Sequence, residues 1–286
     1  MTDVTVALSF DVDGPCAWLT AGSSSKRDLS RGEFTAVGVR RLLDLLDEVG
    51  ARATFYVPGH TALLFSAMVG ELVARGHEVG HHGWMHENPS TLDHAAQREV
   101  LERGIDALVR TGAAPPIGYR APYFDPDDDT VRLLIEHGFS YDSSLMGNDI
   151  EPYWVRLGDE APLDGPLRPG QPTELVEVPV SWHLDDFPLF EFAMSPSASV
   201  QGLRPPSAVE EIWRREFDFV ALEGGGCLVL TMHPEVIGRG HRMMMLRAFL
   251  DYVVSAGAAF RTCAEVAEDF RAGGPPRLPD GMTGLA

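Results

Sequence analysis

The feature that most limits how this chain can fold is order: an apolar strand pattern followed by a helical one, about seven times over. "VTVALSF" alternates as a strand does, putting Val4, Val6, Leu8 and Phe10 on one face. "FTAVGVRRLLDLLDEVG" reads as a helix stopped by Gly50. "RATFYV", "HEVG", "PIGYRAPYF", "FSYDSS", "LVEVPVSW", "CLVLTM" and "AFRT" continue the series, with helical segments between most of them. Strand and helix in alternation predict an α/β fold with a parallel sheet covered by helices. An open doubly wound sheet and a closed barrel compete. Carboxylates occupy "FDVDGP", where a nucleotide-binding sheet carries a glycine-rich phosphate loop, so a barrel is favoured. No repeat or clear linker divides the chain, and a single domain over 1–286 is expected. Two long loops, about 146–174 and 183–206, interrupt the alternation. Loops of that length often carry function.

The formal net charge of −19 argues against a nucleic-acid partner, which needs a basic face. It also favours a neutral or cationic substrate over an anionic one. No run of about 20 apolar residues is available to span a bilayer, so no membrane partner is expected. "MTDVTVALSFDVDG" lacks the basic and apolar parts of a secretory signal. A cytoplasmic location is therefore expected. Cys16, Cys227 and Cys263 are odd in number and far apart, forming neither a zinc pattern nor a disulfide framework.

In a βα barrel the reactive groups stand at the C-terminal ends of strands. The unusual polar residues fall there: Asp11 and Asp13, His82 and His86, Arg120, then Trp182, Asp185 and Asp186, and finally His233. "GHEVGHHGWMHENP" holds four histidines, from His77 to His86, in ten positions. His77/His81 and His82/His86 both have the spacing of four that lets side chains converge on a helical turn. His77 precedes an extended "EVG", so the second pair, on a turn beyond the strand, is the better ligand pair. Alone, HxxxH is more often a polar helix face. A carboxylate from another strand end reverses that balance. Two imidazoles and a carboxylate suit one divalent metal ion, zinc being the expected species, with positions left for water and substrate. Asp11 and Asp13 are two apart and can enter one pocket from the same side, one as ligand and one as proton acceptor. Tyr119, Tyr123 and Phe124 are candidate pocket walls. The same ligand set occurs in iron oxygenases, but the extra carboxylate, Arg and His count against that class.

"SFDVDGP", "GHEVGHHGWMHENP", "GYRAPYF", "VSWHLDDFP" and "VLTMHPEVIGRGHR" resemble, in this order, the motifs of the polysaccharide deacetylase (NodB-homology, carbohydrate esterase family four) superfamily. The resemblance covers residue 9 to about 242. It implies a distorted (β/α) barrel of about seven parallel strands, and hydrolysis of a non-peptide amide bond at an Asp–His–His metal site. It implies Asp11 as catalytic base, Asp13, His82 and His86 as metal ligands, Arg120 as the residue that orients the base, and His233 as general acid. Asp185 or Asp186 would be the acidic partner of an arginine or histidine, and both, with Trp182 and Tyr123, would line the substrate pocket. Val12 separates aspartates that are adjacent in the usual "FDDG". That variant resembles a subgroup with peptidoglycan-deacetylase-like, allantoinase-like and cyclic imide hydrolase members.

The expected activity is metal-dependent hydrolysis of an amide or imide bond in a small cytoplasmic molecule, such as a cyclic imide or ureide. Deacetylation of peptidoglycan or another N-acetylated glycan is the alternative. An inactive, ligand-binding relative is the third. The two long loops would lid the pocket. "FPLFEFAM" carries enough apolar surface to pack against a second subunit, so a homo-oligomer is possible.

Overall fold

A computed structural model describes residues 4–195, 198–201 and 204–273, with the side chains of 192–201 outside the description. The strands are β1 (Val4–Asp11), β2 (Thr54–Val57), β3 (Glu78–His81), β4 (Gly118–Tyr119), β5 (Tyr141–Asp142), β6 (Tyr153–Leu157) and β7 (Gln171–Glu177). A separate hairpin, β8 (Phe192–Ser195) and β9 (Ala198–Gln201), precedes β10 (Gly226–Met232) and β11 (Ala259–Arg261).

The main sheet runs β10-β1-β2-β3-β4-β5-β7-β6, with β11 also paired to β1. All its ladders are parallel except β6 on β7. The sheet curls into the distorted barrel that was expected, but its rim is not a continuous ladder. The segment after β7 reaches β10 through a single bridge, Asp185 to Thr231.

Along β1 alternate residues serve different layers. Val4, Val6, Leu8 and Phe10 join the large core shared with the helices, while Ala7 packs with Tyr56, Tyr141, Val176 and Val229 inside the curl. Ser9 and Asp11 continue the inner face by the period-two rule. Apolar residues thus glue the sheet to its helices, and the inner face near the strand ends is left for polar chemistry.

Three local expectations are corrected. The helix expected from Phe34 spans Lys26–Val49, because Ser25 caps it by accepting from the Asp28 N–H at 3.2 Å. The loop expected over 146–174 contains β6, whose antiparallel pairing with β7 makes most of it a hairpin. "FPLFEFAM" is partly spent within the chain: Leu189 and Phe190 are buried in the core, and Phe192–Met194 fall outside the described side chains.

Candidate active site

The predicted residues converge at one mouth of the barrel because each follows the C-terminal end of a parallel strand or of the segment bridged to one. Asp11 ends β1, and Asp13 is two residues on. His82 follows β3, Arg120 follows β4, and His233 follows β10. Asp11, Asp13, His82, His86, Arg120, Asp185, Asp186 and His233 are all buried.

The four clustered histidines divide by the pleat. His81 points to the helix side, where its Nε2 donates to the Leu101 carbonyl at 3.0 Å and its Nδ1 accepts from the Gly83 N–H at 3.1 Å. A Cβ at Gly104 would lie 2.1 Å from that ring, so the helix can close over His81 only with glycine there. Burial pushes the His81 pKa down to about 3, which keeps it neutral. His77 accepts the Ala53 N–H at 3.2 Å. Both are structural.

His82 and His86 face the pocket. Their spacing of four works differently from the expected helical turn: Gly83–Met85 form a turn, and both Gly83 and His86 have positive φ, 73° and 62°. Glu87, unremarked in the sequence, holds this turn by accepting the Trp84 and Met85 N–H groups at 3.1 and 2.8 Å. Among the described residues the non-glycines with positive φ are His86, Tyr123 and Phe124, and all three line the same cavity. Strained backbone of this kind collects at functional sites.

His82 Nε2 and His86 Nε2 each lie 3.5 Å from an oxygen of Asp13. Ligands at zinc bond lengths in tetrahedral array stand about 3.4 Å apart. His82 Nδ1 donates to the Arg120 carbonyl at 2.7 Å, which leaves Nε2 as the lone-pair nitrogen. That nitrogen and Asp13 Oδ1 are buried without hydrogen-bond partners among the described residues. Burial lowers the His86 pKa to about 4, so its ring is neutral and able to ligate. Burial opposes charge on Asp13, but His86, His82 and His233 outweigh it and hold the carboxyl below its usual range. Burial likewise opposes charge on His82, yet Asp11 and Asp13 raise its pKa. The field at this point favours a cation. The donor set fits a divalent metal ion.

Two further pairs flank the triad. Arg120, wholly buried, donates from Nη1 to Asp11 Oδ1 and Ser9 Oγ, each at 2.8 Å, and stacks its guanidinium 4.2 Å over the Tyr56 ring. Asp11 Oδ2 lies 3.9 Å from His82 Nε2, beside the triad. His233 donates from Nδ1 to Asp186 Oδ1 at 2.8 Å, and Asp186 also accepts the His233 backbone N–H at 3.1 Å. Asp185 Oδ1 stands 3.7 Å from Nδ1, and burial raises its pKa to about 7. His233 Nε2 points into the site, 4.0 Å from Asp13 Oδ2. Burial opposes a charged His233, but the two carboxylates outweigh it and lift its pKa well above the ordinary value.

Asp11, Asp13, His82, His86 and His233 floor a cavity of about 420 Å³ walled by Trp18, Tyr123, Phe124, Trp182 and Phe187. Trp182 is half-exposed and tilts against Phe124, ring centres 4.8 Å apart. Asp185 lines the cavity as expected, whereas Asp186 acts behind His233. Tyr119 is buried against His81, away from the cavity. Trp18 and Phe187 were missed. Trp18 sits shortly after β1, so the strand-end rule applied to aromatics would have found it.

Residues 2–141 match the family model described as polysaccharide deacetylase. The chain is 35% identical over 283 residues to the peptidoglycan deacetylase of Helicobacter pylori, covering 94% of this chain and 96% of that one. Its structure resembles that of a Mycobacterium smegmatis protein classed as a polysaccharide deacetylase, with TM-score 0.82 and 36% identity over 97% of this chain and 94% of the other. An allantoinase, 21% identical, shares the fold with TM-score 0.78, covering 96% of this chain and 92% of its own.

Proposed function

The chain belongs to the polysaccharide deacetylase family, and on that premise we propose that it hydrolyses an amide or imide bond in a small neutral molecule, with Zn²⁺ held by Asp13, His82 and His86. It is a hydrolase of carbon–nitrogen bonds other than peptide bonds. The observation that carries the mechanism is the convergence of three differently prepared groups on one cavity floor: a ligand triad, an arginine-held carboxylate and a carboxylate-held imidazole.

A bound divalent ion would supply Lewis acidity to the carbonyl oxygen and to water. The residues do the rest. Asp11, fixed by Arg120, takes a proton from the attacking water as it bonds to the carbonyl carbon. His233, kept protonated by Asp186, gives its proton to the leaving nitrogen as the C–N bond breaks. An amide yields an acid and an amine, an imide an acid and an amide, and solvent returns the proton taken by Asp11 to His233 for the next turnover. Asp186 holds His233 Nδ1–H, so the proton transferred is the one on Nε2, the nitrogen that faces the site.

A cavity of about 420 Å³ with aromatic walls matches a small planar amide, within the range of ordinary small-molecule sites. The net charge of −19 supports a neutral substrate. Deacetylation of an N-acetylated glycan is the second reading, favoured by the 35%-identical relative that bears the name peptidoglycan deacetylase. A cytoplasmic setting and a single domain over 1–286 belong to the same proposal. Cys16, Cys227 and Cys263 are buried free thiols, and no described helix is long and apolar enough to cross a membrane.

The test is a hydrolysis panel of cyclic imides, ureides, chito-oligosaccharides and peptidoglycan with metal-stripped and metal-reloaded protein. Faster metal-dependent turnover of a small imide or ureide supports the first reading. Acetate release from glycan without imide activity replaces it with the second.

A further inference from the structure

Behind Arg120 lies a pair of acids that the reaction does not touch. Asp142 ends β5, Glu177 ends β7, and the two are register partners on neighbouring parallel strands. Both are completely buried. Glu177 Oε1 accepts the Ser144 and Leu145 N–H groups at 2.8 and 2.9 Å, and Asp142 Oδ1 accepts the Ser144 hydroxyl at 2.6 Å. One oxygen of each remains, Asp142 Oδ2 and Glu177 Oε2, and both are buried without a hydrogen-bond partner among the described residues. Two adjacent buried carboxylates cannot both ionise cheaply. A single proton between the two free oxygens satisfies both and removes one charge. Burial raises both pKa values, that of Glu177 well above the ordinary range with the charge of Asp142 adding to it. The other titratable groups facing the pair are Arg120, whose charge opposes the rise at Asp142, and Tyr119 and Tyr153, whose pKa values burial raises.

The segment strapped by this pair grips Arg120. The Ser143 carbonyl accepts Arg120 Nε at 2.9 Å, and Ser143 Oγ accepts Nη2 at 2.8 Å while donating to the Val178 carbonyl at 2.8 Å. Ser144 Oγ accepts the Ala121 N–H at 2.8 Å, tying down the residue after Arg120. Among the described residues, every hydrogen bond of the Arg120 guanidinium beyond those to Ser9 and Asp11 runs to Ser143. We propose that Asp142 and Glu177 share one proton and act as positioning residues, fixing residues 143–145 so that Arg120 holds Asp11 on the reacting water. The kinetic half rests on Asp11 being the base. The shared proton does not.

Infrared difference spectroscopy and turnover test the two halves separately. Wild-type protein is expected to show the C=O stretch of a protonated, buried carboxyl at neutral pH, without substrate or metal. Glu177→Gln and Asp142→Asn should each abolish that same band, because either amide replaces the shared proton as donor and leaves the other group ionised. Both single variants should keep kcat near wild type. The double variant sets two NH₂ groups against each other, and kcat should fall by about 10²-fold, the scale of a misplaced catalytic group, with KM little changed. Asp185 and Glu235, whose pKa values burial raises to about 7 and about 8, contribute equally to all three proteins and cancel in the wild-type-minus-variant spectra. Absence of a band lost in both single variants, or survival of that band in either, overturns the shared proton. A folded double variant with wild-type kcat overturns the positioning role. A wild-type chain that shows the band but hydrolyses no amide overturns the hydrolase mechanism with its kinetic half, and leaves the shared proton established.

Discussion

Arg120 reaches Asp11 across the barrel interior, Nη1 to Oδ1 at 2.8 Å, and this contact separates the two aspartates of "DVD" by role. Asp11 spends one oxygen on the guanidinium and keeps the other beside His82, whereas both oxygens of Asp13 face imidazole nitrogens. On the proposed mechanism one carboxylate is held for proton transfer. The other is free to ligate.

Asp11→Asn should therefore bind metal as the wild type does yet lose turnover by roughly 10²–10⁴-fold, the usual worth of a general base. Metal content and kcat measured on one preparation decide it. Normal turnover would remove Asp11 from the mechanism.

Arg120→Ala leaves Asp11 buried without its counter-charge and takes three other hydrogen bonds with it. A loss of about 3–5 kcal/mol in unfolding free energy is expected, the range for breaking a buried ion pair. Denaturant titration measures it. A change within experimental error would mean that water replaces the guanidinium at no cost.

The pairing of His233 with Asp186 predicts a shift in pH profile. The carboxylates raise the His233 pKa, so the acid form is present below that value and is lost as pH rises through it. Asp186→Asn lowers the pKa, so the alkaline limb of kcat/KM should move toward lower pH while the acidic limb stays. A profile with an unmoved alkaline limb would show that another group supplies the proton.

Zinc should raise Tm, because an ion that binds only the folded chain at 100 times its Kd adds about 2.7 kcal/mol. His82→Ala should abolish the increase. His77→Gln should leave metal stoichiometry unchanged, since His77 lies outside the Asp13–His82–His86 group and its Nδ1 accepts the Ala53 N–H. Thermal melts with and without a chelator, paired with metal analysis, test both. Loss of stoichiometric metal in His77→Gln would contradict the division of the histidine cluster.

Much of this was readable along the chain because it depends on local order. Periodicity located β1, β2 and β10, and the rule that parallel strands aim their C-terminal ends at the active site gathered Asp11, Asp13, His82, Arg120 and His233 before any contact was known. What misled was geometry that needs a partner. β6 reads as loop in the sequence because a short, half-buried edge strand becomes a strand only when β7 lies beside it. His82 and His86 have helical spacing but meet through a turn with two positive φ values, held by a Glu87 carboxylate that no pattern singles out.

The sequence by itself determined the fold class and brought His82, His86 and the aspartate pair to one rim, since hydrophobic period and strand-end position are properties of the chain. The choice of Asp13 as ligand came from the family resemblance. Only the tertiary structure decided which acid does what. Asp11 and Asp13, like Asp185 and Asp186, are chemically the same, and their roles differ through distant neighbours: Arg120 for Asp11, the paired imidazoles for Asp13, His233 for Asp186. Asp142 on β5 and Glu177 on β7 have β6 between them in sequence and meet only through sheet register. A carboxylate's charge, pKa and reach are set by what lies within a few ångströms once folded, and adjacency in sequence does not report it.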